Sequence, residues 1–152
     1  MKIINTTERF DFILDFSAYE PKWVHDTIDM MKKKKVGLYV YISSDSVYEV
    51  SNPKTTRRLS VEDDAVRPED LKLRKKLAKD EPYGNAKLGG EEALADQTHF
   101  PWVAFRYADV IGPRDVTKRF AFYHTWLMFY DDINIPFHLP SKVESVGCED
   151  FR

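Results

Sequence analysis

Three short apolar runs, rich in β-forming residues, are separated by stretches in which apolar residues recur at helical spacing. The runs at residues 10–16, 38–42 and 100–106 predict three strands buried in a parallel sheet. Between the first two runs, apolar residues recur every three or four positions after Pro21 and predict a helix, with Gly37 as its stop. Strand, helix and strand in this order predict an α/β fold with a partial Rossmann-like, doubly wound parallel sheet.

The remaining segments complete this outline. Residues 49–68 lack a period and predict a loop, and residues 69–79 predict a short charged helix. Pro82 predicts the start of a helix that runs to about residue 97. We expect one domain over residues 1–140, including a short strand at 133–140, and a disordered polar tail at 141–152.

Composition narrows the class of protein. The 152 residues are 43% hydrophobic and 32% charged, which is ordinary for one folded domain. The net charge of -2 gives no overall electrostatic case for binding nucleic acid. No apolar run reaches the ~20 residues of a membrane helix. The single cysteine, Cys148, suits a reducing compartment, and we expect a cytoplasmic protein.

Two groups of residues carry candidate chemistry, and each has a second interpretation. Tyr83 and Lys87 are four residues apart and share one face of the predicted helix, where a lysine ammonium can stabilise a tyrosine phenolate. The same spacing also occurs by chance on helix surfaces. The polar residues 43–46 follow the second strand, at the sheet edge where α/β proteins bind ligands. They could equally satisfy the strand end and begin a turn. The scattered histidines and the lone cysteine predict no metal site.

Three segments resemble, in the same order, motifs of the extended short-chain dehydrogenase/reductase family, the NAD-dependent epimerase/dehydratase group. Residues 43–48 (Ser-Ser-Asp-Ser-Val-Tyr) resemble its Ser-Ser-x-x-Val-Tyr segment. Residues 83–87 resemble its Tyr-x-x-x-Lys helix, and residues 106–113 its Arg-x-x-x-Val-x-Gly-Pro loop. The resemblance covers residues 10–140 and is more specific than any one of the motifs.

The resemblance implies a role for each matched position. Tyr83 would be the general acid/base, Lys87 would lower its pKa and bind the nicotinamide ribose, and Ser44 would hold the substrate oxygen. The cofactor would be NAD or NADP, and the substrate a sugar nucleotide or a similar hydroxylated small molecule. The implied cofactor contacts are Phe16, Ser17, Ala18, Ser43, Tyr83, Lys87, Tyr107, Ala108 and Val110. The implied substrate contacts are Asp45, Ser46 and Arg114, with Ser46 standing where the dehydratase branch has a second acid.

The chain departs from the family at its N-terminus. Family members begin with a strand and a Gly-x-x-Gly-x-x-Gly turn that holds the cofactor pyrophosphate. The six glycines, at 37, 84, 89, 90, 112 and 147, do not form this turn. Residues 10–16 resemble the family's fourth strand, so we expect a fragment that lacks the first strands and the N-terminal cofactor-binding half. Such a chain is expected to bind NAD(P) weakly or not at all.

Two readings compete with an oxidoreductase or epimerase ancestry. Some atypical family members bind RNA, and residues 15–19 resemble their segment at this point. The basic residues 32–35 and 71–77 would then form the binding surface. The third reading is a non-catalytic fragment that binds a partner protein. The sequence leaves the substrate, the choice of NAD or NADP and the oligomeric state open.

Overall fold

The computed structural model describes residues 8–53, 58–108 and, beyond them, residues 110, 112, 116–118, 121, 122, 124, 125 and 128. The chain divides into two compact units, Met1–Val110 and Ile111–Arg152. Few residues of the second unit are described, and there the backbone N–H of Phe122 donates to the carbonyl of Lys118 at 2.8 Å. The predicted strand at 133–140, the predicted tail at 141–152 and Arg114 lie outside the described residues.

The first unit contains a parallel sheet of three strands, β1 (Arg9–Asp15), β2 (Lys35–Ser44) and β3 (Trp102–Tyr107). The strand order is β1-β2-β3, so β2 lies in the centre. The register pairs Asp15 with Tyr41, and Ser44 with Tyr107. The predicted α/β class with a partial Rossmann-like parallel sheet is therefore confirmed.

Helix α1 (Pro21–Met31) connects β1 to β2, and proline stands in its first turn as predicted. Val24, Ile28 and Met31 are buried and form its inner face, whereas Trp23 is 48% exposed. The prediction that Gly37 ends this helix is wrong, because Gly37 lies within β2. A Cβ at that position would lie 2.4 Å from the carbonyl oxygen of Asp11, so the two strand backbones approach too closely for a side chain.

Two short 3₁₀ helices, Asp45–Val50 and Glu62–Asp64, interrupt the region after β2 that the sequence predicts as a loop from residue 49. Helix α2 (Leu71–Asp80) follows, and the Asp70 side chain caps it by accepting from the N–H of Lys72 at 2.8 Å. Helix α3 (Pro82–Ala95) begins after Glu81, whose side chain accepts from the N–H of Gly84 at 3.1 Å. Both predicted helices are confirmed.

Glycines let α3 approach the sheet closely. A Cβ on Gly84 would lie 2.2 Å from the carbonyl oxygen of Ser46, and one on Gly90 would lie 2.6 Å from the hydroxyl oxygen of Tyr41. Neither position could carry a side chain without a shift of the surrounding structure. The small residues at 84 and 90 therefore set the distance between α3 and the carboxyl end of β2.

The two faces of the sheet differ in how far their side chains are buried. Side chains alternate between the faces along each strand, and on one face Tyr39 and Tyr41 are buried in a core with residues of α1 and α3. The other face carries apolar side chains that stay largely exposed: Phe12, Leu14, Phe105 and Tyr107 are 68%, 60%, 45% and 48% exposed. Among the described residues, no helix is both long and apolar enough to cross a membrane.

Candidate active site

Helix α3 brings Tyr83 and Lys87 to the carboxyl end of β2, one helical turn apart. Lys87 is 2% exposed and its Nζ atom lies 5.9 Å from the centre of the Tyr83 ring, whereas Tyr83 is 41% exposed. The pair therefore has a buried cation and a phenol that solvent reaches. Their spacing predicts one shared helix face, and the burial of Lys87 is an addition from the structure.

The Lys87 ammonium is held by neutral groups. It donates to the carbonyl oxygen of Ala18 at 3.0 Å and to that of Ile42 at 2.8 Å. Its Nζ atom also lies 4.7 Å from the ring centre of Tyr19 and 4.9 Å from that of Tyr41. Burial lowers the pKa of Lys87 below 10.5, and the carboxylate of Asp15 partly opposes this shift.

Tyr83 has a pKa above its usual value of 10.0, in contrast to the expectation that Lys87 lowers it. Burial is the largest cause, and the nearby Tyr19, Asp45 and Glu81 raise the pKa further. A hydrogen bond with the Ser44 hydroxyl opposes these effects. Lys87 donates its protons to two backbone carbonyls, and the groups that lower the Tyr83 pKa do not include it. Tyr83 is therefore protonated at neutral pH.

Ser44, the last residue of β2, stands where strand, 3₁₀ helix and α3 meet. Its hydroxyl accepts from the N–H of Ser46 at 3.2 Å and donates to Asp45 Oδ1 at 3.2 Å. These bonds fit the alternative that the polar segment begins a turn. Ser44 also lies close enough to Tyr83 to lower the pKa of that phenol, so the turn and the phenol are neighbours. Ser44, Tyr83 and Lys87 thus lie together.

The other predicted cofactor and substrate residues lie in different environments. Ala18 is buried beside Lys87, whereas Phe16 and Ser17 are exposed at the end of β1. Tyr107, Ala108 and Val110 are exposed at and after the end of β3, Asp45 is exposed and Ser46 is half-buried. All these positions stay predictions as contact residues.

Ser43 is a predicted cofactor residue that makes a different contact. It is 4% exposed and donates from its hydroxyl to Glu91 Oε1 at 2.5 Å. Glu91 also accepts from Arg106, with the Arg106 NH2 atom 2.7 Å from Glu91 Oε2. Arg106 donates further to the hydroxyl of Tyr48 at 3.0 Å and to the carbonyl of Glu62 at 2.8 Å. Ser43 thus belongs to a buried network that ties β2, α3 and β3 together.

Two acidic residues of the site region, Glu91 and Asp15, were not predicted from the sequence. Glu91 lies four residues after Lys87 and so one turn further along the same helix face, which is the signal that could have found it. Asp15 accepts a short hydrogen bond from the Tyr39 hydroxyl and bonds at 2.9 Å from the N–H groups of Ser17 and Ala18. The signal that could have found Asp15 is an acidic residue at the carboxyl end of a mostly apolar run.

A cavity of about 450 Å³ lies beside β3 rather than at Tyr83. Its lining residues are Tyr48, Glu62, Glu91, Trp102, Val103, Ala104, Phe105 and Arg106. Neither Tyr83 nor Lys87 lines this cavity, so it is no evidence for a substrate position at the phenol. Within the described part of the chain, no three histidine, cysteine or acidic side chains are grouped to hold a metal ion.

The basic segments suggested for RNA binding have ordinary local surroundings. Lys32 forms an ion pair with Asp29 at 2.9 Å, and Lys35 begins β2. The lysines and the arginine of α2 are exposed on a short helix whose leucines face inward in part. RNA binding stays a prediction of the sequence.

The residues around Lys87 fit one end of a nicotinamide cofactor. An ammonium has three N–H donors, and the carbonyls of Ala18 and Ile42 take two of them. The third suits a ribose hydroxyl, and the nearby Tyr83 hydroxyl suits a reacting oxygen. The sequence has no glycine-rich turn of the pattern that holds a pyrophosphate in this kind of site.

Comparison with known proteins identifies the fold family. A model of the NAD dependent epimerase/dehydratase family matches residues 22–128, which is more than half of the chain. The matched range includes all three motifs at residues 43–48, 83–87 and 106–113. No curated protein and no solved structure matches the sequence.

Proposed function

Because the chain belongs to the NAD dependent epimerase/dehydratase family, we propose that Tyr83, Lys87 and Ser44 form the acid–base part of an NAD(P)-dependent active site. The substrate is a sugar nucleotide or a similar hydroxylated small molecule. The observation that carries this proposal is the position of Lys87, which is buried beside Tyr83 with two of its three donors on backbone carbonyls. A lysine with a purely structural role could instead form an ion pair, as Arg106 does with Glu91.

Tyr83 moves the proton in this reaction. Its hydroxyl is protonated at neutral pH because burial raises its pKa above 10.0. It therefore gives a proton to the substrate oxygen when the carbon is reduced, and takes one back when the carbon is oxidised. The bound nicotinamide supplies or accepts the hydride. The Ser44 hydroxyl, which lies near Tyr83 and lowers its pKa, holds the same substrate oxygen in place.

Lys87 binds the nicotinamide ribose and adds positive charge near Tyr83 Oη. The ammonium is already fixed by the carbonyls of Ala18 and Ile42, so binding a ribose hydroxyl does not require it to reorganise. The ammonium lies 5.9 Å from the centre of the Tyr83 ring, and its positive charge stabilises the negative charge that develops on the phenol oxygen. Lys87 thus acts on the tyrosine when substrate is present, although it does not lower the Tyr83 pKa in the structure described.

Weak cofactor affinity is part of the proposal. The pyrophosphate is the most strongly charged part of NAD(P), and the family holds it with the glycine-rich turn that this sequence lacks. The nicotinamide ribose alone offers few contacts, so we expect dissociation constants of about 1 mM. We further propose a cytoplasmic location, since the sequence has one cysteine and no disulfide partner for it.

A titration followed by NMR tests this function. The full chain, labelled with ¹⁵N and with ¹³C-lysine, is titrated with NADH and with NADPH. We expect weak binding with shifts at Ser44 and Lys87, and their loss in Lys87→Met. The matched control is Lys79→Met, an exposed lysine of α2, which keeps the shifts. An absence of shifts at Ser44 and Lys87 would overturn the proposed site, and micromolar affinity would overturn the proposal that the pyrophosphate lacks an anchor.

A further inference from the structure

Asp15 stands at the carboxyl end of β1, on the face of the sheet that the helices cover. Its carboxylate accepts from the N–H groups of Ser17 and Ala18, each at 2.9 Å, and from the Ser17 hydroxyl at 3.3 Å. It also accepts a short hydrogen bond from the hydroxyl of Tyr39 on β2. A carboxylate with this set of donors fixes the backbone of the turn that follows the strand.

The turn held by Asp15 presents the Ala18 carbonyl to the candidate active site. Ala18 is 3% exposed, and its carbonyl oxygen accepts from Lys87 Nζ at 3.0 Å and from the Tyr41 hydroxyl at 3.1 Å. The position of this oxygen depends on the peptide orientation at residues 17 and 18. Asp15 fixes the two peptide groups that lead into the Ala18 carbonyl, so it helps to place one of the two acceptors of Lys87.

Resting on the function proposed above, we propose that Asp15, with its donor Tyr39, is a positioning residue for Lys87. It sets the Ala18 carbonyl that orients the ammonium, and it provides a negative charge that favours the protonated form. Neither Asp15 nor Tyr39 contacts Tyr83 or the place of the substrate oxygen in the described contacts. Their action on the reaction passes through Lys87.

The charges around Lys87 support this role. The groups that face it are Asp15 from β1, Tyr19 from the turn, Tyr41 from β2 and Tyr83 from α3, while Glu91 of α3 is paired with Arg106. The carboxylate of Asp15 opposes the fall in the pKa of Lys87 that burial causes. Burial alone would raise the pKa of Asp15, but the hydrogen bonds from Tyr39, Ser17 and Ala18 outweigh this effect and keep that pKa below 3.8.

The proposal is tested on the chain without cofactor, by NMR titration of the Lys87 side chain labelled with ¹³Cε and ¹⁵Nζ. Lys87→Met assigns its signal. Asp15→Asn keeps the shape of the residue and removes the charge, and we expect it to move the Lys87 titration midpoint to lower pH. Asp15→Ala also removes the acceptor for the turn, so we expect a further change in the Nζ chemical shift and faster exchange of the ammonium protons.

Asp11→Asn is the matched control. Asp11 lies on the same strand and the same face, but its side chain is 71% exposed and pairs with Arg9 at 2.9 Å. This variant should leave the Lys87 signal unchanged. Tyr39→Phe removes one donor to Asp15 and should reproduce the Nζ shift in part, which keeps the proposal testable if Asp15→Ala does not fold.

Equal Lys87 midpoints in wild type and Asp15→Asn, together with an unchanged Nζ shift in Tyr39→Phe, would overturn the proposal. This result is separate from a failure of the proposed function. If NADH causes no shift at Lys87 in the wild-type chain, the proposed function is overturned, but the positioning role of Asp15 is not. That role is tested by comparing the variants without cofactor. If the proposed function and the positioning role of Asp15 both hold, Asp15→Asn should also reduce the shift that NADH causes at Lys87.

Discussion

Lys87 is a buried cation and Arg106 a half-buried one, both beside α3, yet their surroundings differ. Arg106 forms an ion pair with Glu91, with a closest distance of 2.7 Å and side-chain exposures of 19% and 6%. Lys87 has carbonyl oxygens and aromatic rings around it, and forms no ion pair within the described residues. The hydrogen bond to Glu91 raises the pKa of Arg106, whereas burial lowers that of Lys87.

The difference distinguishes a cation that holds the fold from one that is available for chemistry. Arg106 joins β3 to α3 and reaches Tyr48 and Glu62, so its donors are used within the protein. Lys87 keeps one donor beyond its two backbone acceptors and lies next to a half-exposed tyrosine. A buried charge without a carboxylate partner is costly for folding, and such groups cluster at functional sites.

Breaking the Arg106 pair should have the largest effect. Glu91→Ala leaves a half-buried guanidinium without its carboxylate and Ser43 without its acceptor. We expect a loss of about 3–5 kcal/mol in the free energy of unfolding, measured by urea denaturation. Asp29→Asn, which removes an exposed pair with Lys32, should cost much less than Glu91→Ala. Equal losses in the two variants would contradict a structural role for Arg106.

Moving α3 should disturb both cations together. Gly84→Ala places a Cβ 2.2 Å from the Ser46 carbonyl oxygen, so the helix must shift away from the end of β2. We expect a loss of about 1–3 kcal/mol in the free energy of unfolding, with changed NMR shifts at Ser44 and Lys87. The control is Gly112→Ala, where a Cβ would meet no atom within 4 Å. Unchanged shifts in Gly84→Ala would show that the contact does not position the helix.

Removing the charge of Lys87 should have a smaller effect on stability. Lys87→Met leaves two carbonyls without this donor, but the Ala18 carbonyl keeps the Tyr41 hydroxyl and the cost of burying a charge disappears. We expect the free energy of unfolding to stay within about 2 kcal/mol of wild type. A loss as large as that of Glu91→Ala would mean that Lys87 holds the fold as Arg106 does.

The smallest expected effect is a pH dependence that distinguishes wild type from Lys87→Met. Because the folded protein releases the Lys87 proton at a lower pH than the unfolded chain, the unfolded chain binds more protons between the two midpoints. Wild type should therefore gain stability relative to Lys87→Met as pH rises from neutral toward 10.5.

The raised pKa values of the buried tyrosines act in the opposite direction. Tyr39 and Tyr41 keep their protons in the folded state above pH 10.0, where the unfolded chain loses them, so both proteins lose stability there. This loss cancels in the difference between wild type and Lys87→Met. Denaturation curves at several pH values measure that difference, and a difference that falls with pH would contradict the lowered pKa of Lys87.

The sequence predicts most of the regular structure because its apolar spacing is local. The three strands, α1 and α3 follow from periodicity and from prolines at the helix starts. The prediction for Gly37 is wrong because a glycine after a helical pattern commonly marks the end of a helix. Its close approach to Asp11 exists only when β1 and β2 pair, and the sequence alone does not show that pairing. The 3₁₀ helix at Asp45–Val50 has too few residues to show a period.

Residues that pair across the fold could not be predicted in the same way. Tyr83 and Lys87 were found because both lie on one helix, and Ser44 because it ends a strand and matches a motif. Ser43 bonds to Glu91, which is 48 positions away in the sequence, so spacing gives no indication of that bond. The lowered pKa of Lys87 likewise depends on burial by three separate segments rather than on its sequence neighbours.

The pH titration of the Lys87 ammonium in the wild-type chain tests the central comparison most directly. The signal is read by NMR on ¹³C-labelled lysine and assigned by its loss in Lys87→Met, with the urea-unfolded chain as the reference. An ammonium held by carbonyls and rings should titrate below 10.5. A midpoint at or above 10.5 would mean that Lys87 is paired as Arg106 is, and would contradict its assignment as the cation that serves Tyr83.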